Sequence, residues 1–96
     1  MNAYNNSHLT AVISNNTITM PLDTAVTIYS KNTSTLCSNL SGNTLNAGGG
    51  SDDIKLEQAD TSTFDVVDYP NLGANNGGAS VLVVGGSTIT SVVGCP

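Results

Sequence analysis

The chain predicts an all-β fold, an antiparallel β-sandwich or jelly-roll of about eight short strands. Three observations carry that expectation. Apolar and polar residues alternate in short runs, Gly and Asn cluster between the runs, and no stretch of about 11 residues joins a 3.6-residue apolar period to helix caps. Asn, Ser, Thr and Gly together supply 45 of the 96 residues. A chain of this length is read as one β domain, residues 1–96, near the size at which a single core becomes self-sufficient.

Leu9 to Ile13 and Thr17 to Met20 flank Ser14-Asn15-Asn16. Asn tolerates the left-handed backbone of a tight primed turn, so the two runs are expected to form a hairpin. Ala25 to Ser30 alternates, with Val26 and Ile28 on one face and Thr27 and Tyr29 on the other, as a half-buried strand requires. Leu36, Leu40 and Leu45 lie in a Ser/Asn/Gly-rich stretch that suits short strands or irregular loop equally well. Ala47-Gly48-Gly49-Gly50-Ser51 reads as a long flexible loop. Ile54 to Gln58 and Phe64 to Tyr69, joined by a polar connection, are expected to make a second hairpin, with Pro70 ending its last strand. Val81 to Val84 and Thr88 to Val93 read as a third hairpin about Gly85-Gly86. Val81 to Val84 has no alternating polar partners, which predicts the most buried strand or one covered by a neighbouring subunit. A parallel β-helix would suit the Asn and Gly content, but no repeat of 20–30 residues is evident, which favours the antiparallel fold.

Composition removes most chemistry. There is no Arg and no Trp, Lys is confined to Lys31 and Lys55, and His8 is the one histidine. Two Lys release too few counterions to hold a polyanion, so nucleic acid is not expected as a partner. The glycine pairs lack the Lys-Ser/Thr ending of a phosphate loop and serve as turns. Six of the seven acids, Asp52, Asp53, Glu57, Asp60, Asp65 and Asp68, fall within one short stretch. A solvated acidic hairpin is the expected role; if Ca²⁺ binds, Asp52, Asp53 and Asp60 are the reachable loop ligands. A carboxylate-pair glycosidase needs a cleft that four aromatic residues cannot easily line. The expectation is therefore no enzyme, no catalytic residues, no cofactor and no resident metal.

Cys37 and Cys95 are 58 residues apart in sequence. They form either a bridge that pins the C-terminus to the middle of the chain or two free thiols. Asn-x-Ser/Thr sequons begin at Asn5, Asn15, Asn32 and Asn39, a frequency the composition alone produces, and no glycans are assigned. The first residues show no basic and apolar regions of a secretion signal, and no window approaches the ~18 apolar residues of a membrane span, so membrane insertion is not expected.

The segment Asp53-Ile54-Lys55-Leu56-Glu57-Gln58 through Phe64-Asp65-Val66-Val67 resembles the strand, polar turn and strand of small tailed-phage structural proteins, including those that decorate capsids. It spans residues 53–67, and its turn carries Asp60-Thr61-Ser62 where the pattern carries Asp-Gly. The resemblance implies a virion surface or cement protein made in the host cytoplasm, binding a capsid lattice as a homo-oligomer, with a trimer as the expected form. The alternative is a cell-surface or extracellular filament or adhesin subunit that assembles by strand pairing. Either way the partners are proteins, and the candidate contact surface is Val81, Leu82, Val83 and Val84 with Val92 and Val93. The plainer expectation for the same residues, central core, outweighs the contact-surface role.

Overall fold

The computed structural model describes residues 1–96. Ten strands follow in order: β1 (Asn2–Ala3), β2 (His8–Ser14), β3 (Thr17–Met20), β4 (Val26–Ser30), β5 (Thr35–Ser41), β6 (Thr44–Ala47), β7 (Ile54–Gln58), β8 (Thr63–Val67), β9 (Val81–Val83) and β10 (Thr90–Val92). Every pairing between them is parallel. One sheet runs β1-β4-β7-β9, a second β10-β8-β5-β2, and a third pairs β3 with β6. Consecutive strands thus lie in different sheets, and every pairing joins strands one circuit apart. The chain is a β-solenoid of about three turns.

This corrects the antiparallel sandwich or jelly-roll, and with it all three hairpins. β2 and β3 are not paired with each other; β2 lies on β5 and β3 on β6. Likewise β7 lies on β4 and β9 while β8 lies on β5 and β10, and β9 and β10 belong to different sheets. The reason sits in the turns. A type I′ turn, the one that Asn-Asn and Gly-Gly pairs suggest, needs positive φ at both central residues. Here Asn15, Asp60 and Gly86 have φ of 57°, 59° and 83°, whereas Asn16, Thr61 and Gly85 do not have positive φ. One left-handed residue bends the chain around a corner without folding it back.

The repeat that the sequence reading did not find is present but degenerate. His8 lies over Thr35 and Thr35 over Thr63, steps of 27 and 28 residues. At that spacing Asn5-Asn6-Ser7-His8-Leu9 aligns with Asn32-Thr33-Ser34-Thr35-Leu36 and Asp60-Thr61-Ser62-Thr63-Phe64, and Asn15-Asn16-Thr17-Ile18 with Gly42-Asn43-Thr44-Leu45.

The core fills the lumen as ladders of equivalent residues. Leu9, Leu36 and Phe64 stack, as do Val26, Ile54 and Val81, and Ile28, Leu56 and Val83. Alternation puts these inside and their neighbours outside, so β4 buries Val26 and Ile28 and exposes Thr27. Leu36, Leu40 and Leu45, left open between strand and loop, are all core residues of β5 and β6. The most buried strands are not Val81 to Val84 but the middle ones, where Ile28, Leu36, Ile54, Leu56 and Val66 are sealed from solvent. Position decides this, because a coil with neighbours on both sides is covered twice. The Gly48 region, read as a flexible loop, lies tight against the coil before it. A Cβ on Gly48 would come within 1.8 Å of the Pro21 carbonyl oxygen, so glycine is required there.

Candidate functional site

Polar side chains at the corners fasten each coil to the one before it. At the first corner Ser7, Ser34 and Ser62 each donate Oγ–H to the carbonyl three residues earlier, on Tyr4, Lys31 and Ala59, all at 2.6 Å. Ser34 and Ser62 also reach the preceding coil, at the Ala3 carbonyl (3.1 Å) and the Ser30 carbonyl (3.0 Å). The left-handed residues Asn5, Asn32 and Asp60 stack beside them. Asp60 Oδ2 accepts the Asn32 backbone N–H at 3.1 Å. The Asn32 amide is assigned with its oxygen toward the Asn5 backbone N–H (3.1 Å) and its nitrogen toward Asp60, the orientation that satisfies both neighbours.

The second corner repeats that logic with Asn16, Asn43 and Asn76. Asn43 Oδ1 accepts the Asn16 backbone N–H (2.9 Å), and Asn43 Nδ2 donates to the Ile13 carbonyl (2.9 Å). One coil on, Asn76 Oδ1 accepts the Asn43 N–H (3.3 Å), and Nδ2 donates to the Leu40 carbonyl (3.1 Å). Asn43 and Asn76 are buried, and their polar atoms are paired as burial demands.

All these clamps point toward the N-terminal end, so the two ends of the solenoid differ. At the C-terminal end Val84 N–H bonds to the Leu56 carbonyl, Ser87 and Thr88 bond to Gln58, and β10 settles on β8. Ile89 packs against the core, and Leu72 closes it from the irregular segment after β8. At the N-terminal end Asn5, Ser7 and Asn16 have no earlier coil to fasten to. Leu9, Ile13 and Ile18 pack against the core but stay partly exposed.

The longest free edge is β2. Asn15 N–H donates to Ser41 and the Ser7 carbonyl accepts from Thr35, both on the β5 side. Since successive backbone groups alternate in direction along a strand, odd-numbered residues of β2 bond to β5. His8, Thr10, Val12 and Ser14 therefore turn their N–H and C=O groups to open solvent.

Cys37 and Cys95 are joined, with Cα atoms 5.7 Å apart. Cys37 lies on the outer side of β5, between Leu36 and Ser38, which point inward, so the bond straps the C-terminal tail across the outside of the middle coil. The valines singled out from the sequence are not one surface. Val81 and Val83 face a shallow groove of about 300 Å³ shared with Tyr69, Pro70, Leu72 and Gly73. Leu82 points out from β9, Val84 is half-buried, Val92 lies over Val67 in the other sheet, and Val93 is fully exposed.

The acids are also dispersed. Asp53 and Asp60 stand at opposite ends of β7 and do not converge, and no group of three or more His, Cys, Asp or Glu is placed to share a cation. Asp53 holds the third corner: its Oδ1 accepts from Ala47 N–H (2.8 Å) and its Oδ2 from Ser80 N–H (3.0 Å). These bonds, Ala47 first, hold its carboxyl below the ordinary value. Asp68, left-handed at φ 49°, accepts from Asn75 and Asn71, which lower its pKa in the same way. Asp52, Glu57 and Asp65 line no shared pocket.

Sequence reasoning missed Asn16, Asn43 and Asn76 and the β2 edge. The signal available was Asn-Thr followed by Ile or Leu, at residues 16–18 and again 27 residues later. No helix is long and apolar enough to cross a membrane. Comparison with protein-family models, with curated proteins and with solved structures finds no match to this chain.

Proposed function

We propose that this protein is a non-enzymatic structural module that assembles by strand pairing at the N-terminal end of its solenoid, as a subunit of a cell-surface or extracellular structure. The observation that carries this reading is the uncovered β2 edge. Natural edge strands are blunted by charge, proline or bulges, and His8–Ser14 has no proline, no Lys and no carboxylate. Its opposite number at the C-terminal end, β10, has only three residues. A solenoid with one capped and one bare end is built to continue or to be met.

Two further observations favour it. The Cys37–Cys95 bond suits an oxidising compartment. The groove beside Val81 offers Tyr69 as its one titratable group, and Asp53, Asp60 and Asp68 are engaged in holding turns, which supports the non-enzymatic reading. The capsid-decoration reading rested on residues 53–67 as a strand-turn-strand unit. Those residues form β7 and β8 in separate sheets, so the resemblance no longer has its hairpin. With nine charged residues in the chain, association should depend little on salt. Sedimentation at low salt and at about 0.5 M, where the Debye length is roughly 4 Å, should show the same associated species. A monomer at every concentration would contradict the proposal.

A further inference from the structure

Resting on that reading, we infer that the occupant of the N-terminal end is a second copy of this chain, related by a two-fold axis that sets β2 antiparallel to its own counterpart with Ala11 opposite Ala11.

Charge permits a self-pairing at this end. Residues 1–22 contain no Asp, Glu, Lys or Arg, and the first acid is Asp23. The opposite end is also uncharged, with no Asp, Glu, Lys or Arg in residues 69–96. Its edge strands β9 and β10, however, have three residues each against the seven of β2, so strand length and backbone geometry favour the β2 end. The backbone directions fit as well. Opposing residues whose numbers total 22 brings His8 to Ser14 and Thr10 to Val12 of the second copy. All four are the residues whose N–H and C=O point to solvent, so each pair exchanges two hydrogen bonds. Leu9 then meets Ile13 across the interface with both side chains inward, and the exposed end of the core is covered from both sides.

The corners agree with the same axis. A two-fold through Ala11 exchanges the corner at Asn5–Ser7 with the corner at Asn15–Asn16. Each amide side chain both donates and accepts, so uncharged Asn can meet Asn where a carboxylate could not. Stacking head to tail fits poorly by comparison. It would set the seven residues of β2 against the three of β10, and β3 against the irregular segment around Asn75–Ala79. The structure is therefore read as one half of a closed dimer, in place of the trimer that the phage resemblance implied.

The test uses the full oxidised chain in size-exclusion chromatography with light scattering, beside Thr10→Pro. Proline removes a donor that faces the open edge and leaves the bonds to β5 intact. Wild type should give twice the 9.7 kDa chain mass, and Thr10→Pro should give the chain mass itself with an unchanged far-ultraviolet spectrum. Wild type is also read by amide exchange, independently of whether the variant folds. His8, Thr10, Val12 and Ser14 should be protected at high concentration and lose protection at least tenfold on dilution into the monomer range. Species that lengthen without limit would overturn the two-fold arrangement while leaving assembly by strand pairing standing. A monomer throughout would overturn both, and a dimer whose four even-numbered amides exchange freely would overturn the β2 contact.

Discussion

The side-chain nitrogen of Asn43 donates to Oδ1 of Asn76 at 2.8 Å, and the same oxygen accepts the Asn43 backbone N–H. Two buried amides one circuit apart thus lock consecutive coils together. Asn43 also satisfies Asn16 N–H and the Ile13 carbonyl in the coil below, so one side chain serves three coils.

Asn43→Ala should accordingly cost about 2–4 kcal/mol, or roughly 10–25 °C in Tm, because it strands buried donors and acceptors on both sides. Asn16→Ala, at the open end, should cost less than about 1 kcal/mol. Urea denaturation of the two variants measures the contrast; equal losses would show that the ladder does not hold the coils.

Ser38 should behave in the opposite way. Its Oγ is buried between Ala11 and Val66 in the luminal ladder and has no hydrogen-bond partner. Removing an unpaired buried hydroxyl relieves a desolvation cost of about 1–3 kcal/mol. Ser38→Ala is expected to keep or raise Tm, whereas Ser34→Ala, which loses bonds to Lys31 and Ala3, should lower it.

Acid should loosen the third corner. Asp53 and Asp68 have folded-state pKa values below the ordinary 3.8. A depressed carboxyl contributes stability that is complete above its unfolded value and is lost as pH falls through the folded value. Thermal unfolding should therefore be insensitive to these groups above about pH 5 and drop from just under pH 4 downward. Asp53→Asn should lower Tm at neutral pH and flatten that acid slope, since the amide turns one donor toward Ala47 or Ser80.

Reduction should act first on the tail. The bond between Cys37 and Cys95 closes a separation of 58 residues, worth about 4 kcal/mol in the chain-entropy treatment. Paired Cys37→Ser and Cys95→Ser should lose stability of that order. Amide exchange should rise in residues 90–96 before it rises in β5, because β10 has three paired residues and little else to hold it.

The strands themselves were legible where alternation is clean. Val26 and Ile28, Ile54 and Leu56, and Phe64 and Val66 are inward as their spacing indicates. Leu36, Leu40 and Leu45 were not legible, because the Ser and Asn residues between them have the composition of a loop, although Ser38 faces the lumen and Asn43 is a buried clamp. Pairing was misread for a physical reason: Asn, Asp and Gly favour left-handed backbone, which serves solenoid corners as readily as hairpin turns, so the turn residues alone do not distinguish the two. The repeat was hidden by its own tolerance. Asn5 and Asn32 are matched by Asp60, Leu36 by Phe64, Asn15 by Gly42, and the step changes from 27 to 28 residues. The clamping role of Asn43 was beyond reach without that alignment.

Nuclear Overhauser contacts along β5 test the central claim, the parallel stacking of coils, most directly. The Leu36 methyls should see both Leu9 and Phe64, and the β5 backbone should show parallel contacts to β2 and β8 in the register Thr10, Cys37, Asp65. Close Hα–Hα contacts between Ile54–Gln58 and Thr63–Val67, the mark of an antiparallel hairpin, would contradict the solenoid and everything argued from its ends.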